Sequence, residues 1–150
     1  MASKKISQID SRTGEVLTDG FVAYIAPKRK NAFGKGWAAM SQEAMKELAK
    51  RRKQIAGEGY AVMLSIMGDA AFNNEFKAVN QSKIAEDLDM HKSHVSRAVK
   101  RLLSLDILEE GPREGVNRSY RIHPEIMWKG AANAHIIAMS DFQNGKGRHE

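Results

Sequence analysis

The 150-residue sequence has no cysteine. Disulfides and thiolate metal sites are thereby excluded, and a reducing, cytoplasmic setting suits the composition. It has no long apolar run either. The longest, Tyr60 to Met67, includes Ser65 and is far shorter than a bilayer-spanning helix, so no membrane partner is expected. The opening MASKKISQID lacks an apolar stretch, so no secretory leader is expected. There is no GxxxxGK[ST] phosphate loop, and Gly57-Glu58-Gly59 lacks the rest of a dinucleotide fingerprint. No His-hydrophobic-His pair stands ready to hold the metal of a DNA nickase. His91 and His94 are three apart but have no carboxylate or Cys at ligand spacing, so no metal site is expected. No nucleophile–base arrangement can be picked out. The expectation is a protein without catalytic residues and without a cofactor.

Apolar residues make up 42 %, enough for a packed core. The length suits one domain with a short appendage. The formal net charge is +6 and the isoelectric point about 9.6. That excess favours a polyanionic partner.

Residues 1–40 are expected to form a β extension and a basic loop. Asp10 to Glu15 and Thr18-Asp19-Gly20 carry turn chemistry, and Phe21 to Ala26 is rich in β-formers before Pro27. A small antiparallel hairpin follows from this. Lys28, Arg29, Lys30 and Lys35 share a loop with Phe33 and Trp37. Such a loop either grips phosphates and stacks on bases, or is solvated with Trp37 folded back on the core.

Residues 41–123 are expected to be a winged helix-turn-helix. Ser41 can cap a helix running to about Ile55, with Ala44, Met45, Leu48 and Ala49 on its apolar face and Gly57 and Gly59 ending it. Lys46, Lys50, Arg51, Arg52 and Lys53 load its C-terminal half. The helix dipole is sufficient reason for them, and contact with a nucleic acid is the alternative. Tyr60 to about Phe72 is apolar on more than one side and should be the buried scaffold helix. Asn73-Asn74-Glu75 is a turn, and Phe76 to Val79 a short strand for the wing.

Asn80 can cap the next helix, on which Ile84, Ala85 and Leu88 face inward. Ala85 is small where two helices must cross. Asp89 stands in the turn, where a left-handed conformation is needed and Asp tolerates it. Val95, Val99, Leu102 and Leu103 then form a buried stripe at helical spacing. Ala98 sits where a larger aliphatic is usual. With the stripe buried, Lys92, Ser93, Ser96, Arg97 and Lys100 project outward beside His94. No Asp or Glu occurs between His91 and Leu105. An ordinary solvated face would mix charges. A helix lying in a major groove has this composition. Ser93, His94, Ser96 and Arg97 are therefore assigned to base edges, with Arg97 suited to guanine O6 and N7. Lys92, Lys100 and Arg101 are assigned to phosphates. Leu108 to Ile122 shows strand, Gly/Pro turn, strand, with Arg113, Asn117 and Arg118 at or near the wing tip. Residues 124–150 should form a C-terminal helix, Ala131 to Met139, and a disordered tail from Gln143. The helix is expected to pack back or to pair with a second copy in a homodimer.

Three stretches carry a family resemblance: GKGWAAMSQEAM (34–45), KIAEDLDMHKSHVSRAVKRLLSLDILEEGP (83–112) and NRSYRIHPEIMWKG (117–130), with IDSRTGEVL (9–17) adding to them. Here the chain resembles the RepL-type bacterial plasmid replication and maintenance proteins. The helix-turn-helix alone is generic and equally suits a MarR-like regulator. The segment from Asn117 to Gly130 is more telling. The resemblance implies a winged-helix initiator that binds double-stranded DNA at its replication origin and brings host replication proteins to it. Two other readings stand beside it: a transcriptional repressor acting at an operator, and an interaction module whose basic helix binds an acidic protein.

Overall fold

A computed structural model describes residues 8–9, 16–18, 33 and 36–146. It divides into two compact units, Met1–Lys35 and Gly36–Glu150. In the first, β1 (Gln8–Ile9) pairs antiparallel with β2 (Val16–Thr18), Gln8 opposite Thr18 and Ile9 opposite Val16. A hairpin was expected in this part of the chain. The β-rich stretch 21–26 and the cations Lys28, Arg29, Lys30 and Lys35 lie outside the described residues. Trp37 is half exposed at the start of the second unit.

The second unit opens with β3 (Ala39–Met40) and runs through Ser41 into α1 (Gln42–Lys50). The Ser41 hydroxyl accepts the Ala44 amide proton at 3.0 Å, which satisfies one of the donors a helix start leaves open. Of the four residues expected on the apolar face, only Leu48 is buried; Met45 and Ala49 are exposed. The helix stops at Lys50, one turn early, so its short inner face needs little more than Leu48. The Tyr60 hydroxyl donates to the Leu48 carbonyl and ties the helix to its neighbour.

The scaffold helix, α2 (Arg52–Gly68), starts earlier than expected and is broken at Ala56 (φ 60°, ψ 171°). The break falls just before Gly57, close to where a helix end was expected, whereas Gly59 does not end a helix. Gly59 is buried within α2, where an added Cβ would stand 3.0 Å from the Ile55 side chain. Val62, Met63, Ile66 and Met67 are buried, but Leu64 faces solvent. The helix ends at Gly68 rather than near Phe72. Phe72–Asn74 is instead a single 3-10 turn, with Asn73 and Asn74 both at positive φ (55° and 47°).

β4 (Lys77–Ala78), α3 (Gln81–Asp87), α4 (Lys92–Ser104), β5 (Leu108–Glu114) and β6 (Asn117–Ile122) follow. The sheet order is β4-β6-β5, antiparallel throughout, with Lys77 opposite Tyr120 and Leu108 opposite Ile122. Gly111-Pro112 is not the wing turn. It forms an irregularity inside the β5–β6 ladder, between Glu110 and Arg113, and the turn is Gly115-Val116. Gly111 is required there by close approach: an added Cβ would lie 2.4 Å from the Phe76 ring.

β7 (Met127–Trp128) pairs antiparallel with β3, Ala39 opposite Trp128 and Met40 opposite Met127. Residues near 40 and beyond 123 thus join one small sheet, so the compact body is not limited to 41–123. α5 (Ala132–Lys146) closes the unit. It packs back through His135, stacked on Trp128 at 4.8 Å, and Phe142, edge-on to His123 at 4.1 Å. Gln143 to Lys146, expected to be disordered, continue this helix. Ile136 and Ile137 are exposed.

The result is a winged helix-turn-helix, mainly helical with small antiparallel sheets. Its core centres on Val62, Val95, Val99, Leu102, Ile107 and Ile122, each 2 % exposed or less. Burial of each such side chain stabilises the fold by about 1.5–3 kcal/mol before entropy is counted.

Candidate nucleic-acid interface

Local chemistry shapes the helix-turn-helix. The Asn80 side chain accepts the Lys83 amide proton at 3.1 Å and starts α3. Ile84 and Ala85 are buried against the core. Asp89 takes φ 50°, the left-handed conformation expected of the turn, and the Met90 amide donates back to the Ala85 carbonyl at 2.8 Å. Chain direction then reverses into α4, with His91 at its N-cap. Val95, Ala98, Val99 and Leu102 are buried, so Ala98 belongs to the inner stripe.

Burial of that stripe decides which side chains are free to reach outward. Lys92, Ser93, Arg97 and Lys100 are exposed, and Ser96 is half-buried at the margin. Arg97, Lys100 and Ser93 share the side of α4 opposite the stripe. Among the described residues, none of Lys92, Arg97 and Lys100 forms an ion pair. Some cations elsewhere are engaged, Arg121 with Glu109, Lys83 with Asp87 and Lys50 with Glu47, while Lys46, Arg52, Lys53 and Arg113 form no ion pair among the described residues.

His94 and Arg101 behave differently. Seven residues apart, they lie on one edge of α4, and both reach to α2. His94 Nδ1 lies 3.1 Å from the Glu58 carboxylate, and its ring sits edge-on to His91 at 5.6 Å. Arg101 donates to the Gln54 carbonyl at 3.2 Å. His94 is thus turned toward a carboxylate, away from the centre of the exposed face. Arg101 spends one of its five donors on a backbone carbonyl and keeps the rest.

On the wing, Arg113 is exposed and opposite Arg118. Arg118 bonds the Glu110 carboxylate at 2.9 Å, so it lies along the wing rather than off its tip. Asn117 is half-buried opposite Glu114. The tip itself is Gly115, at φ 64°, and Val116, which is 94 % exposed. A sequence reading with its turn at Gly111-Pro112 does not mark Val116 as the tip.

The wing is anchored by polar contacts that sequence reasoning also missed. Asn74, 2 % exposed, donates to the carbonyls of Met127 (2.7 Å) and Ile122 (3.2 Å), and its Oδ1 accepts the Lys129 amide at 3.0 Å. The Ser119 hydroxyl donates to the Pro112 carbonyl. Arg121 pairs with Glu109 and lies over the Phe76 ring, 4.6 Å from its centre. Burial pushes the Tyr120 phenol above its usual range, and the nearby Glu110 carboxylate adds to the effect; Arg118 and a hydrogen bond with Gln81 oppose it. The paired asparagines signalled a left-handed turn, but nothing in the sequence marked Asn74 as buried.

Among the described residues, no group of three or more His, Asp or Glu is arranged to hold a metal ion. No described helix is long and apolar enough to cross a membrane.

No family model matches the chain, and no curated protein matches it. Among solved structures it is similar to the DNA-binding TubR fragment from Clostridium botulinum, at 16 % identity and a TM-score of 0.34, over 56 % of this chain and 91 % of that one. The overlay is slight, and the winged helix-turn-helix assignment rests on the chain's own topology.

Proposed function

We propose that the protein binds double-stranded DNA sequence-specifically, with α4 in the major groove and the β5–β6 wing against the flanking backbone. One observation carries the reading. The outward side of α4 holds Lys92, Arg97 and Lys100 with no carboxylate partner among the described residues, in a helix with no acid from His91 to Leu105. Cations gathered on one exposed helix face repel one another, and a bound polyanion relieves that repulsion. Ser93, Ser96 and Arg97 lie in the N-terminal half of α4 and take the base edges. Lys92 and Lys100 take phosphates, joined by Arg113 on the wing.

The biological role we infer is initiation of plasmid replication and copy-number maintenance at an origin, with host replication proteins as further partners. The resemblance of residues 34–45, 83–112 and 117–130 to RepL-type proteins supports it.

The test has two stages. Target duplexes are first selected from a random pool. Arg97→Ala should then lose about 1–3 kcal/mol of preference for the selected site, as expected for one bidentate guanine contact. Lys100→Ala should weaken all duplexes alike. An unchanged specificity ratio in Arg97→Ala removes the base-reading role. Failure of the wild type to bind any duplex at low salt removes DNA binding and leaves the acidic-protein reading. The replication role is tested by supplying the protein in trans to a plasmid that lacks its initiator; loss of that plasmid refutes it.

A further inference from the structure

The junction of α1 and α2 is the part of the basic surface that the recognition helix does not account for. Arg51 to Ile55 forms a turn of its own. It is closed by the amides of Gln54 and Ile55, both bonded to the Arg51 carbonyl at 2.9 Å, and ended by the break at Ala56. A helical turn stopped so early leaves carbonyl oxygens without the amide four residues on. Arg101 of α4 supplies a donor to one of them, at Gln54. In return Arg51 donates to the Leu105 carbonyl at 3.0 Å, where α4 ends. Two arginines thus fasten this turn to the C-terminal half of the recognition helix at two points.

The fastening fixes what the turn presents. Ile55 is buried and Arg51 half-buried, so the inner side is spent on the core. Arg52 and Lys53 are exposed, and among the described residues neither forms an ion pair. Lys50, just before them, is tied to Glu47 at 2.6 Å and does not belong with them.

We propose that Arg52 and Lys53 are a second phosphate-holding segment of the interface, gripping the DNA backbone beside the C-terminal half of α4. The proposal rests on the DNA-binding reading above. Side chains near the start of a recognition helix reach bases, whereas cations beside its end meet the sugar-phosphate chain. Arg101 becomes a positioning residue: it holds the turn through the Gln54 carbonyl. Compensation of a helix dipole is the rival explanation for cations at this junction. The two differ in what they predict. Dipole compensation acts on folding; phosphate contact releases counterions and acts on the salt dependence of binding.

The experiment titrates a labelled three-turn duplex of arbitrary sequence at salt concentrations from about 50 to 200 mM. Wild type is compared with Arg52→Gln/Lys53→Gln and with Lys46→Gln/Lys50→Gln, which removes the same charge from α1. The first variant should lower the slope of log affinity against log salt by about 1.8, or 0.9 for each phosphate no longer neutralised. The second should leave it close to wild type. An unchanged slope in Arg52→Gln/Lys53→Gln overturns the proposal, and so does an equal drop in both variants, which is a net-charge effect. Thermal melts identify a variant that has lost its fold, and single Arg52→Gln and Lys53→Gln variants, each expected to lower the slope by about 0.9, then replace it. Absence of wild-type binding instead brings down the DNA reading on which the proposal stands.

Discussion

Asn74 is the residue whose removal should most weaken the wing relative to its size. It is 2 % exposed and makes three neutral hydrogen bonds, two to the carbonyls of Ile122 and Met127 and one from the Lys129 amide. Each bond contributes about 0.5–1.5 kcal/mol net, and a polar group left dry and unpaired costs about 1–3 kcal/mol. Both residues that supply the carbonyls are buried, Ile122 at 2 % and Met127 at 5 % exposure, so water reaches the vacated groups poorly. Asn74→Ala should therefore destabilise by about 3 kcal/mol through the missing hydrogen bonds. The residue also sits at φ 47°, which alanine tolerates poorly, adding about 1 kcal/mol. Asn74→Gly removes the same bonds without that penalty and separates the two causes. The measurement is urea unfolding at neutral pH followed by circular dichroism. A loss under about 1 kcal/mol in Asn74→Gly would refute the reasoning, because it would mean that the three bonds are replaced at no cost. Against a total stability of about 5–15 kcal/mol for a typical domain, the expected loss is large.

Gly111→Ala should destabilise by about 1–3 kcal/mol, because the new methyl meets the Phe76 ring and the Ser119 hydroxyl. Pairing it with Phe76→Leu should recover part of the loss, and a double-mutant cycle with no coupling energy would count against the clash. For Tyr120 the sign follows from its raised phenol pKa: its contribution is complete below pH 10, the ordinary value, and is lost as pH rises further. Unfolding titrations above pH 10 should therefore show a decline that Tyr120→Phe diminishes. An identical alkaline decline in both proteins would remove Tyr120 as its cause.

The helix-turn-helix was legible because its determinants are local. An Asn cap, a small residue at the helix crossing, an Asp able to adopt a left-handed turn and a stripe at helical spacing all act within a few residues of one another. Asn80, Ala85, Asp89 and the Val95–Leu102 stripe stand where those rules put them. The N-terminal hairpin and the β4 strand were legible for the same reason. The outer faces were harder. Met45, Ala49 and Leu64 are apolar and exposed, since a helix buries only what its neighbours cover. Gly111-Pro112 has turn chemistry, yet the chain uses it as a strand irregularity because Phe76 packs where a side chain would stand.

By itself, then, the sequence determined a basic helix with one buried side and an unbroken absence of acid on the other. Periodicity and charge are properties of neighbouring residues, and no partner element is needed to read them. Tertiary structure alone decided which of those polar side chains are at liberty. It turned His94 toward Glu58 and spent part of Arg101 on Gln54, laid Arg118 along Glu110, and left Arg97 and Lys100 without a partner among the described residues. It also brought Ala39 and Met40 beside Met127 and Trp128, and hung the wing on Asn74. Apart from the Arg118–Glu110 pair, these are contacts between residues dozens of positions apart, made only once the whole domain has closed.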